Sequence, residues 1–508
     1  MLKLPSLLIA MATFAIAGCG AGDSGSDASS PLDEALRYLP ADTPFAVAID
    51  TDADGSQLEA AEEIAGRFGL GRDKLVEQIE EQLDAGPGEI EELENALGNE
   101  FVVGSTDVGA FIDQDSEEDE SFVGAIEAAD PGALDKLLDG EDVKEQGESN
   151  GATIYRDDDG DDFAVKGDVL IVAGNRKELD SALATREGDD SLTEDDFEAG
   201  VEGIPADALV RVYLNVEELL SVDPDAKQAL KSKWVGALTT AGLALSLEDD
   251  RVAIDFNLKT DGGELIDADL PIAAGSESPQ VLDRDGEIGV ALRDPAHIVA
   301  FAQATAKSID PDGFSTFEVG KQQIERQLKI DLEDDFFGQM TDGLAVSVNI
   351  DNGKFGARAE IDDPQAFEQT LEKVAAVLPN VVEGILGQKV GFAKPKAGED
   401  FYAVATAGGS QIVFGVVKGV FVLSNDPAIA GALASDDTRA VPGAEGSVAM
   451  SVDAEQLAQA ILPQLGILDS SIVDRVKGAI GTRPLDELTG SLESSTEALS
   501  GSFELTLD

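Results

Sequence analysis

One cysteine, one histidine and one tryptophan occur in 508 residues, and 35 lysines and arginines face 102 aspartates and glutamates. Each scarcity removes a class of chemistry. A lone cysteine closes no intramolecular disulfide, so the fold needs no oxidative cross-link. One histidine and one thiol cannot assemble a zinc site of the usual His/Cys type. A Ser-His-Asp triad would have to use His297, and no Gly-x-Ser-x-Gly elbow supplies its serine. His297 follows Asp294-Pro295-Ala296 at a predicted helix start, where a boundary histidine is expected. No Gly-x-x-x-x-Gly-Lys-Ser/Thr loop is present. The Gly-x-Gly-x-x-Gly match at Gly20–Gly25 has no strand before it and no helix after it, so nucleotide binding by those routes lacks support. Aromatic residues make up 5%, which disfavours sugar sites built on stacking. A carboxylate-based hydrolase is the one enzymatic reading left open, because 102 acids could supply its pair.

The charge of −67 repels nucleic acid and other polyanions, which excludes them as partners. The acids are spread along the chain rather than blocked. That distribution favours solubility or adaptation to salt over a divalent-cation sink or a docking face for a cationic partner.

What is present begins with the leader. Lys3 precedes an apolar run from Leu7 to Ile16, then Ile16-Ala17-Gly18-Cys19. The run is too short to span a bilayer and fits a secretory signal over residues 1–18. The tetrapeptide resembles the lipobox of bacterial lipoproteins. The resemblance implies cleavage before Cys19 and lipid attachment at its thiol, and removal of Lys3 leaves 34 − 102 = −68. Residues 19–31 read as the lipidated cysteine and a flexible Gly/Ser/Asp tether. As a coil of about 12 residues it spans roughly 20 Å. The expected location is the outer face of the cytoplasmic membrane, or the outer membrane if the host has one. No later segment reads as membrane-spanning. Ile412–Leu423 reads as a hairpin, and Trp234–Leu247 as a helix end and a strand.

The remainder reads twice. Gln78–Leu83 is echoed by Gln323–Leu328. Phe122, Glu127, Asp130-Pro131 and Ala133-Leu134 recur in the same spacing as Phe355, Glu360, Asp363-Pro364 and Ala366-Phe367. Ala182–Ala184 is echoed by Ala432–Ala434, and Ser246–Glu248 by Ser491–Glu493. Four matches in order predict a first lobe over 32–262, a linker over 263–279 and a second homologous lobe over 280–508.

Strict alternation marks strands at Phe45–Ile49, Val210–Leu214, Val252–Leu258, Ile288–Leu292 and Leu344–Ile350. Helical spacing marks Leu58–Phe68, Leu75–Leu83 and Phe367–Leu378. Asp249-Asp250, Asn352-Gly353 and Gly408-Gly409 are turn signals. Asp-Pro at 130, 223, 294, 363 and 426 predicts helix starts, since Asp caps the free N–H groups and Pro suits the first turn. Asp310-Pro311-Asp312-Gly313 reads instead as a turn. The predicted fold is α+β: two tandem lobes, each a twisted antiparallel sheet with helices packed on one face.

Tyr38-Leu39-Pro40-Ala41-Asp42-Thr43-Pro44 runs into the strand Phe45–Asp50, with a partial echo at Ile204-Pro205-Ala206-Asp207. This opening resembles bacterial envelope proteins catalogued only as a domain of unknown function (family 3352). The resemblance implies an exported or anchored protein of no established activity, and it carries no catalytic residue.

One metal pattern stands out. Asp50, Asp52, Asp54 and Gly55 copy positions 1, 3, 5 and 6 of a calcium loop. Position 12 is Ala61 rather than Glu, and a strand precedes the loop, so a strand end leading into a helix competes with calcium. Asp157–Asp162 reads as an acidic hairpin tip. No cofactor is expected. The expected function is a non-catalytic, lipid-anchored envelope protein binding an apolar small molecule or an envelope protein. A structural or adhesin-like acidic module is the alternative.

Overall fold

The computed structural model describes residues 30–52, 55–67, 96–105, 121–138, 143–157, 160–188, 190–222, 226–284, 287–340, 343–350, 352–386, 390–395, 401–406, 411–435, 438–461 and 485–507. The described residues divide into two compact units. The first runs to Lys227 and takes in Leu238–Lys259; the second comprises Gln228–Ala237 and the residues from Thr260 onward. Cys19, the Gln78–Leu83 echo, the Leu75–Leu83 helix, Asp223-Pro224 and Gly408-Gly409 lie outside the described residues.

The fold is α+β with antiparallel pairing. The first unit contains β1 (Phe45–Ile49), β2 (Phe101–Ser105), β3 (Val123–Glu127), β4 (Lys144–Ser149), β5 (Ala152–Arg156), β6 (Asp162–Lys166), β7 (Val169–Ala173), β8 (Val210–Asn215), β9 (Leu238–Glu248) and β10 (Arg251–Thr260). Their order across the sheet is β4-β5-β6-β7-β3-β2-β1-β8-β9-β10. The second unit contains β11 (Ile288–Leu292), β12 (Leu344–Val348), β13 (Phe355–Glu360), β14 (Val390–Ala393), β15 (Tyr402–Thr406), β16 (Gln411–Val417), β17 (Val420–Ser424), β18 (Val448–Asp453), β19 (Leu485–Ser494) and β20 (Ala498–Leu507). Their order is β14-β15-β16-β17-β13-β12-β11-β18-β19-β20. The two orders are the same, strand for strand.

Register repeats as well. Ile49 lies opposite Phe101 and Val210, and Leu292 lies opposite Leu344 and Val448. Glu127 pairs with Val169, and Glu360 with Val420. The echo of Ser246–Glu248 in Ser491–Glu493 falls on corresponding strands but two residues out of register, because Val210 faces Leu245 while Val448 faces Leu492.

The helices of the first unit include α1 (Pro31–Leu36), α2 (Ser56–Arg67), α3 (Pro131–Leu138), α4 (Arg176–Glu187) and α5 (Glu194–Gly200). They flank both faces of the sheet, not one. Leu36, Leu183 and Phe197 pack with Ala46, Ala48 and Ile171 on one side. Leu134 packs with Ile49, Phe101, Leu170 and Val172 on the other. All of β7 is buried in consequence, so its Val-Leu-Ile-Val-Ala run has no polar face. Gly124 is needed on the second face, since a Cβ there would lie 2.7 Å from the Phe101 ring.

The second unit holds α6 (Pro295–Ile309), α7 (Pro311–Leu328), α8 (Pro364–Leu386) and α9 (Pro427–Leu433). Its sheet is likewise covered on both sides, with Leu433 against Val420 and Val422, and Phe367 and Leu371 against Phe414 and Phe421. Within residues 263–279, Leu265, Leu270 and Ile272 are buried.

The Asp-Pro signals at 130, 294, 363 and 426 fall where helices begin. Asp130 accepts from the Gly132 and Ala133 amides, Asp363 from Gln365 and Ala366, and Asp426 from Ala428. Asp310-Pro311 is not a turn. Asp310 accepts from the Gly313 amide at 3.0 Å and caps α7, the same device as at the other sites.

Candidate functional site

The calcium pattern is only partly described, because Asp54 lies outside. Asp50 extends β1, and its Oδ1 accepts from the Asp52 amide at 2.9 Å. Burial pushes the Asp50 carboxyl up, opposed by that hydrogen bond. Among the described residues no group of three or more His, Cys, Asp or Glu could hold a metal ion. Of the acidic stretch Asp157–Asp162, residues 158 and 159 lie outside the described residues; the remainder links β5 to β6. Asp157 accepts from the Gly160 and Asp161 amides at 2.9 Å. Asp162 pairs with Arg156 at 2.7 Å and with Arg176 at 3.4 Å; the Arg156 hydrogen bond holds its carboxyl below the usual range. His297 is half-buried in the first turn of α6, with Nε2 2.8 Å from the Leu270 carbonyl. It faces no carboxylate pair among its hydrogen bonds and serves the helix boundary.

Asp50 neighbours an ion cluster that local sequence did not reveal. Arg211 on β8 is 4% exposed. Its guanidinium donates to Glu100 at 2.9 Å and to Glu198, and lies 5.4 Å from the Phe197 ring centroid. Burial pushes Glu100 up, with Arg211 opposing. Two carboxylates and an aromatic face around one buried cation tie β8 to the start of β2 and to α5. The partners are separated by 111 and 13 residues, so no local motif announces them.

An apolar opening lies in the second unit, between α6 and α7. Asp294 caps α6 through the His297 amide, Asp310 caps α7, and Lys329 in the left-handed region ends it. The two helices thus form a tight hairpin. It buries almost nothing. Pro295 is the one buried residue of α6, and α7 has none, whereas α2 buries Leu58, Ala61 and Ala65. Phe317 and Val319 are 56% and 60% exposed.

The hairpin cleft carries two adjoining cavities of about 630 Å³ and 540 Å³ that share Val299, Gln303 and Phe317. The first runs toward the hairpin tip past Ala302, Ala306, Ile309 and Phe314. The second runs past Gly320 and Ile324 to Leu332 and Phe337. Both volumes lie within the range of small-molecule sites, and both walls are apolar with few polar groups. Lys321 at the far end pairs with Glu333 and, at 3.6 Å, with Glu325. Burial pulls the ammonium down, but Glu333, Glu325 and Asp331 outweigh it and hold Lys321 above its usual value.

A signal for this site exists in the sequence. Residues 295–329 carry Lys307, Lys321, Arg326 and Lys329 against Asp310, Asp312, Glu318 and Glu325, so 4 − 4 = 0 in a chain of −67. The segment is thus neutral overall while it keeps acids at the ends of the cleft, Asp310 at one and Glu333, just beyond it, at the other.

No protein-family model matches the chain, and no curated protein matches it. The likeness of Tyr38–Pro44 to family 3352 therefore rests on those residues alone. Among solved structures, crystal forms III and I of TP0453 are similar over 46% and 47% of this chain and 82% of theirs. Identity is 9% and 11%, and the TM-scores are 0.26 and 0.27. Such a likeness carries no argument about ligand or activity.

Proposed function

We propose that this protein is an exported envelope protein, anchored by lipid on Cys19, that binds an apolar ligand without transforming it. The observation that carries the reading is the cleft between α6 and α7, apolar along its length and left open among the described residues. The two tandem halves are read as homologous, supported by the shared strand order and by the matched caps Asp130 and Asp363. The tether of about 12 residues lets an acidic body stand roughly 20 Å from the bilayer that repels it.

The test is native mass spectrometry of the chain carrying Cys19→Ser, purified from its own host in detergent-free buffer. A bound apolar compound is the expected result; a mass equal to the bare polypeptide in every preparation contradicts the reading. The anchor is tested separately. Cys19→Ser moves the protein out of the membrane fraction, and its retention there contradicts lipidation.

A further inference from the structure

The cleft has a length and a charge, and together they select a class of ligand. Its walls run along α7 from Gly313 to Ile324, twelve residues separated by eleven rises of 1.5 Å, or about 16 Å. An extended hydrocarbon advances roughly 1.3 Å per bond, so about a dozen carbons fill that distance. Carboxylates stand at both ends. Asp310 lines the tip end. Glu333 and Lys321 both line the other, and the ammonium of Lys321 is already shared between two carboxylates, Glu333 and Glu325. A negatively charged head would meet acids at either end, whereas hydroxyl groups can donate to them.

We infer that the cleft takes a single acyl chain of about a dozen carbons whose head group carries hydroxyl donors and no negative charge, as in a monoacylglycerol. The inference rests on the apolar-ligand reading above and adds chain length and head-group charge. Phe317, shared by both cavities and 56% exposed, is the ring that the chain would cover midway along its length.

The test is a titration series on the full chain carrying Cys19→Ser, in detergent-free buffer and below each probe's aggregation threshold. The probes are 1-monoacylglycerols of increasing length and the fatty acids of equal length. Affinity for the monoacylglycerols should rise about fourfold per methylene and then flatten near a dozen carbons. The fatty acid should bind at least about tenfold more weakly at neutral pH, a gap that added salt narrows. Equal or tighter binding of the fatty acid overturns the head-group assignment. Affinity that climbs without a plateau overturns the length assignment. Binding of no probe at all refutes the underlying apolar-ligand reading, and so is distinct from both.

Discussion

Replacing Arg211 with methionine should be among the most damaging single changes in the first unit. The side chain is 4% exposed, donates to Glu100 at 2.9 Å and to Glu198, and covers the Phe197 ring at 5.4 Å. Methionine keeps much of the volume but removes the charge, leaving two carboxylates beside a core face without their counter-ion. Removing one partner of a fully buried pair costs about 3–5 kcal/mol. Glu100 and Glu198 are 32% and 41% exposed, so water recovers part of that cost. A loss of about 2–3 kcal/mol is expected, read as a shift of the urea midpoint with unchanged slope. The loss should shrink on acidification, because a protonated Glu100 no longer needs a cation. A variant within about 0.5 kcal/mol of the wild type would refute the view that Arg211 holds this junction.

Asp50 tests the sign of a buried acid. Its carboxyl is pushed up by burial, so its contribution to stability is complete below the unfolded value and is lost as pH rises through the folded value. Asp50→Asn should flatten the melting temperature against pH above about pH 4 and leave neutral-pH stability equal or higher; a lower melting point at neutral pH contradicts this. Phe367 is fully buried, stacks on Phe336 at 5.1 Å and meets Phe421 edge-on at 5.5 Å, so Phe367→Ala should cost about 3–5 kcal/mol in denaturant unfolding. Asp363→Ala removes the cap of α8, which accepts two amides, and should cost about 1 kcal/mol in the same assay.

Much of the fold is written locally. Asp-Pro capping announces α3, α6, α8 and α9, because both residues act within one turn of themselves. Alternation announces β1, β8, β10, β11 and β12, because a half-buried strand imposes period two. What local pattern does not carry is the company each face keeps. Strand β7 is apolar on both sides because α4, which follows it directly, covers one face and α3, well upstream of it, covers the other. Arg211 reads as an ordinary strand charge until Glu100, 111 residues away, is brought beside it. Asp310-Pro311 resembled a turn because its glycine suggested one, yet the caps at 294 and 310 are equivalent in kind. The cleft was hidden for a related reason: helical periodicity identifies an apolar face, and nothing in it tells whether another element covers that face.

Gly320 offers the most direct test of the cleft as a ligand site. It lines the second cavity, and a Cβ placed on it meets nothing within 4 Å. Gly320→Trp thus starts from an unobstructed Cβ at the wall of the cleft and places an indole there, and replacing glycine inside α7 favours the helix by about 0.5 kcal/mol. The decisive measurement is the native mass spectrum of wild-type and Gly320→Trp chains, both carrying Cys19→Ser, with the twelve-carbon monoacylglycerol. The account predicts one bound ligand on the wild type and none on the variant, with the variant's melting temperature no lower. Equal ligand occupancy on both proteins would contradict it.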